Sequence, residues 1–193
     1  MNILNRAKSI TFKPKDEWTV ISQENTPVNV LLLQYLIPLA LIPAVASLIG
    51  FGLIGYGPVS TLSFGLAKTI SSLIMTIGGV LLSAFIIDLL APSFGAQKNF
   101  TKSFALVTYA YTPFLVAGIF YIFPPLAFLA LLAGLYSLYV LFLGLKPMTT
   151  CPDDKQAVYF IVSLAVIILV SLVLSLIAAS VFVGTMVRAA SGF

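Results

Sequence analysis

Five long apolar runs fill most of this 193-residue chain and leave a bilayer as its only reasonable solvent. A helix needs about 20 predominantly apolar residues to cross roughly 30 Å of hydrocarbon. Five runs meet that length, about 28–54, 69–90, 103–123, 126–145 and 159–187. Hydrophobic residues make up 60% of the chain and charged ones 8%, against about 25% charged in a soluble domain. The expected fold is all-α and polytopic, with a separate segment at 1–27 and a five-helix membrane domain at 28–193.

The cations decide the orientation. With the N-terminus in the cytoplasm, Arg6, Lys8, Lys13, Lys15, Lys98, Lys102, Lys146 and Lys155 fall inside, and only Lys68 and Arg188 fall outside. The reverse orientation opposes the positive-inside bias. The C-terminus is therefore expected outside, in a multi-pass protein of a cytoplasmic membrane. Basic residues beside membrane segments point to anionic head groups and not to nucleic acid. Histidine is absent and Cys151 is the single cysteine, so an intrachain disulfide, a CxxC pair and a histidine-based zinc or catalytic site are excluded. No cofactor or metal is expected. A charged stretch before the first apolar run argues against a secretory signal.

Residues 1–27 alternate apolar and basic positions at helical spacing. Ile3, Ala7 and Ile10 share one side, with Arg6, Lys8 and Ser9 on the other. Pro14 suits the first turn of a second short helix, and Asp16 and Glu17 complement its positive end. The spacing predicts a surface helix on the cytoplasmic leaflet, with Arg6, Lys8, Lys13 and Lys15 toward lipid head groups and Trp18 in the interface.

The membrane segments carry few reactive groups. Pro38 and Pro43 should bend the first span, which runs into a turn-rich stretch at Gly50, Gly52, Gly55, Gly57 and Pro58. Ser72, Thr76, Gly79 and Ser83 in the second span, and Ala127, Ala130, Gly134 and Ser137 in the fourth, form small-residue stripes suited to close helix packing. Ser171 and Ser175 read as packing groups of the fifth. Asp88 is the one acid within an apolar run, and its burial demands a partner or a function. Lys98 and Lys102 are the expected partners; a proton or cation site is the alternative. Tyr109, Tyr111 and Pro113 in the third span, and Tyr136 and Tyr139 in the fourth, suit interhelical hydrogen bonds or a ligand.

The loop before the fifth span reads GLKPMTTCPDDKQAVYF and includes Lys146, Pro147, Met148, Pro152, Asp153, Asp154, Lys155 and Tyr159. Thr150 or Cys151 could cap the next helix, with Pro152 in its first turn and the two aspartates against its dipole. Lys155 would balance the acids. Adjacent carboxylates lack the alternating ligands of a calcium loop.

Three of these stretches together, FKPKDEW, YAYTP and GLKPMTTCPDDKQAVYF, in a five-span chain, resemble the Yip family of Ypt-interacting proteins, in its bacterial branch. Asp88-Leu89-Leu90-Ala91-Pro92 is loosely similar to that family's DLYGP-type motif, without its Tyr and Gly. The resemblance implies five spans, a cytosolic N-terminus and association with other membrane proteins. Three functions stand open: a non-enzymatic scaffold or adaptor that self-associates or binds lipid and membrane proteins, a small transporter or channel component using Asp88 and the tyrosines, and an intramembrane enzyme. The last lacks histidine, paired acids and a serine elbow.

Overall fold

The computed structural model describes residues 2–54 and 62–191, all of whose regular elements are helical. Gly55, Gly57 and Pro58, and the side chains of Lys68, Ser175 and Arg188, lie outside the described residues. Five helices are long and apolar enough to cross a membrane: Val28–Gly50, Thr69–Phe94, Phe100–Ile122, Ala127–Thr149 and the described part of the fifth, Asp153–Val173. They match the five apolar runs to within a few residues at most ends. Two short helices precede them, α1 (Ile3–Phe12) and α2 (Pro14–Gln23).

The first span answers its prolines by changing register. The backbone opens into π turns at Leu32–Leu36 and Leu48–Leu53 around an α-helical middle at Ile37–Ser47. The N–H of Ile37 reaches back five residues to Leu32, which accommodates the donor that Pro38 lacks. Pro43 then presses on the third span at Gly118, where an added Cβ would sit 3.0 Å from the Pro43 Cα. Any side chain at position 118 would force the two helices apart.

The third span is broken in the middle. Its α-helix ends at Ala110, Tyr111 forms a turn, and the helix restarts at Thr112–Ala117 before tightening to 3-10 geometry. Pro113 cannot donate, and the neighbouring Phe114 N–H donates to the Ser137 hydroxyl of the fourth span at 3.2 Å. The small-residue stripe of the fourth span packs here as expected: Ala130 and Ser137 are buried, and a Cβ on Gly134 would come within 3.4 Å of the Phe114 ring. The second-span stripe is different. Ser83 is buried, but a Cβ on Gly78 or Gly79 would meet nothing within 4 Å. Those glycines open onto a mainly apolar crevice of about 490 Å³ shared with Tyr111 and Ser171.

The loops at the lysine-rich end interlock. Gly95 turns the chain after the second span in the left-handed region, and Thr150 does the same after the fourth. The Gln97 N–H donates to the Thr149 carbonyl. Phe94 stacks on Tyr159 with centroids 5.0 Å apart.

Candidate functional site

The densest polar cluster lies where α1 and α2 meet the bundle. Asn2 caps α1 through its side chain, and Pro14 opens α2. The two helices fold back on each other and bury Ala7, Ile10, Trp18 and Ile21 against the spans. The surface-helix reading of this segment therefore needs correcting at Trp18, which is 1% exposed. Its indole N–H donates to the Val140 carbonyl at 3.0 Å, and its ring occupies space left by Gly144, where any Cβ would collide with it. A residue fit for the head-group region is here a plug in a helix groove, because the fourth span offers both an acceptor and a glycine gap.

Arg6 departs from expectation in the same way. Its guanidinium forks between Glu17 of α2 and Glu24 just beyond it, with side-chain exposure of 11%, and lies 5.7 Å from the centroid of the Tyr109 ring. Burial pulls the guanidinium pKa down, but the hydrogen bond and charge of Glu24, with Tyr109 and Glu17, outweigh it and raise the pKa above its ordinary value. Tyr109 in turn packs edge-on against Trp18 and Tyr35. The Tyr35 hydroxyl shares a hydrogen bond with Thr112 at 2.9 Å. Lys102 closes the cluster by donating to the carbonyls of Ser22 and Glu24.

The other basic residues of this segment stay outside. Lys8, Lys13 and Lys15 are exposed, the latter two at the α1–α2 turn. That turn abuts the fourth span: the Tyr136 hydroxyl donates to the Thr11 carbonyl at 2.7 Å, and Tyr139 packs beside Tyr136. Tyr111 lines a separate small cleft of about 180 Å³ with Phe114 and Ser137.

Asp88 is buried at 6% exposure, and its Oδ1 has no hydrogen-bond partner. The expected pairing with Lys98 or Lys102 is not formed: Lys98 is exposed, and Lys102 is committed to the carbonyls of Ser22 and Glu24. The Tyr159 hydroxyl beside it donates to the Ile87 carbonyl.

In the loop before the fifth span, Asp153 and Asp154 occupy the first turn of the helix as expected. Lys146, and not Lys155, pairs with Asp153. Thr150 and Cys151 donate to the carbonyls of Thr149 and Pro152. Pro147 lies inside the last turn of the fourth span, beside buried Met148. Pro152, Asp154 and Lys155 are exposed. Burial pushes the Cys151 thiol pKa up, and Asp154 and Asp153 add to this against Lys155.

Reading residues one at a time missed Tyr35, Thr112, Glu17, Glu24 and Lys102 as members of the central cluster. The only hint was that Glu17 and Glu24 lie in the same polar stretch as Arg6. Among the described residues no group of three or more histidine, cysteine, aspartate or glutamate side chains is placed to hold a metal. Neither a curated protein nor a solved structure matches the chain. The family model described as the Yip1 domain matches residues 8–185, a range that takes in α2, all five spans and the loops between them, and on that match the protein belongs to the Yip1 family.

Proposed function

We propose that this Yip1-family protein is a non-enzymatic scaffold or adaptor that works through helix, lipid and protein contacts in a cytoplasmic membrane. One observation supports this above the others. The charged and aromatic groups gathered where α1 and α2 meet the bundle, Arg6, Glu17, Glu24, Tyr109 and Lys102, with Tyr35 bonded to Thr112 behind them, are spent on one another and on holding α1 and α2 in place, so they are not available to line a passage. What remains outward is a basic turn, an open glycine crevice and long apolar faces, which suit lipid and other helices. The lysine-rich end is cytoplasmic in this reading, with the C-terminus opposite, and self-association is part of it. Native mass spectrometry of the protein extracted gently from its membrane tests the proposal. A discrete oligomer or a co-purified membrane protein is expected; a bare monomer that carries a small polar solute overturns it.

A second reading, transport, has one specific observation behind it: the buried Asp88 carboxylate, whose Oδ1 has no hydrogen-bond partner. If it holds, Asp88→Asn abolishes flux in liposomes while the protein stays folded.

A further inference from the structure

The α1–α2 turn and the fourth span together wall an open, shallow cleft of about 430 Å³, lined by Phe12, Lys13, Lys15, Asp16, Tyr136 and Tyr139. Both lysines are exposed, and neither has an ion-pair partner among the described residues. Asp16 is the one acid in the wall, because neighbouring Glu17 is already held by Arg6. The cleft therefore carries two positive charges against one negative. The Tyr136 hydroxyl is committed as a donor to Thr11, whereas Tyr139 is half exposed at the rim.

Position makes this charge unusual. Tyr139 and Tyr136 lie about three turns, or roughly 15–20 Å, before the end of the fourth span at Thr149. The lysines are thus held alongside a membrane-spanning helix and well away from its basic terminus. An ammonium there needs water, a snorkelling route or a counter-anion. Below the cleft on the same helix, Leu135, Leu132, Leu131 and Phe128 are all more than half exposed, forming an apolar strip that continues from Tyr139. Phe12 adds a further exposed ring at the turn. Cation pair, tyrosine rim and apolar strip follow one another in the order of head group, interface and acyl chain.

We infer that this cleft binds the phosphodiester of a singly anionic glycerophospholipid, with its acyl chain along the strip from Leu135 to Phe128. Lys13 and Lys15 pair with the phosphate, and the Tyr139 hydroxyl donates to the head group. A free phosphate would satisfy the lysines but leave the strip without a role, so a lipid is the better fit. The excess charge of one matches a lipid with one net negative charge and a neutral polar head. This deepens the lipid-contact part of the proposed function, but its test reads lipid binding and not assembly, so either can fail alone.

The experiment is native mass spectrometry of the delipidated full chain with phosphatidylglycerol or phosphatidylcholine, with and without millimolar inorganic phosphate. One phosphatidylglycerol should bind with about tenfold preference, the scale expected of two lysines facing an anionic head group. In the Lys13→Gln/Lys15→Gln protein the preference should fall to within about twofold, and Asp16→Asn should increase it. Tyr139→Phe should weaken it without changing the melting midpoint. The lysines are exposed, so the double variant should also melt as the wild type does. Equal binding of the two lipids, or a preference that survives the double substitution, overturns the site. Loss of the bound lipid to inorganic phosphate overturns the lipid assignment in favour of a free-anion site.

Discussion

A single arginine shows how far burial changes what a residue does. Arg6 sits on a helix whose basic side was expected to face head groups, yet it is sandwiched between two carboxylates and a tyrosine face. Removing one member of a buried ion cluster strands the others, which costs more than the cluster gains over apolar packing. Arg6→Ala should therefore destabilise the protein by about 2–4 kcal/mol, read as a lower melting midpoint in detergent, and Arg6→Lys should recover only part because one ammonium cannot fork to both acids. A midpoint unchanged in Arg6→Ala would mean the cluster carries no tertiary energy. Gly144→Ala is the packing counterpart. The added methyl meets the Trp18 ring and the Leu106 side chain, and overpacking of this kind costs about 1–3 kcal/mol. Cys151 gives a pH test. Its folded pKa is raised from 9.0, so the unfolded chain gives up the thiol proton first as pH rises. The stability contributed by the neutral thiol is complete below about pH 8 and declines as pH climbs through 9 and beyond. Cys151→Ser should flatten that alkaline decline in a series of thermal melts.

At the scale of elements, the prolines set where helices change register and their neighbours supply what is missing. The break at Tyr111 is stable because Ser137 accepts from the Phe114 N–H. Ser137→Ala leaves that donor unpaired and should cost about 1–2 kcal/mol. Adding Pro113→Ala should recover part of the loss, since a regular helix could then pair the amide within its own ladder; strictly additive midpoints would contradict this coupling. The break in the YAYTP stretch has a local cause, because proline removes a donor wherever it occurs. The sequence marked Tyr109 as suited to interhelical contact, but did not say that it and Thr112 would meet α1 and the first span. Tyr35 and Thr112 lie 77 positions apart, and nothing local encodes their contact.

For the whole molecule, the basic residues give the clearest expectation. Lys102, Lys146 and the interlocked Gly95 and Thr149–Asp153 loops gather at the ends of spans that the lysine bias places in the cytoplasm. In a Cys151→Ser background, cysteines introduced by Lys98→Cys and Lys155→Cys should react with a membrane-impermeant maleimide only from the cytoplasmic face. Labelling from opposite faces would break the proposed topology. Five spans, their approximate limits and the lysine asymmetry were all determined by the sequence alone, because hydrocarbon thickness and the cost of unpaired backbone polar groups leave few alternatives for long apolar runs. The fate of the first 27 residues was decided only by tertiary structure. An amphipathic basic helix has the same pattern whether it rests on lipid or docks on protein. The choice fell to the groove at Gly144, the Val140 carbonyl and the two glutamates that meet Arg6. The same reason left Asp88 unreadable: of its two expected lysine partners, Lys102 was claimed by the carbonyls of Ser22 and Glu24 and Lys98 stayed exposed, an outcome visible only once the helices are packed.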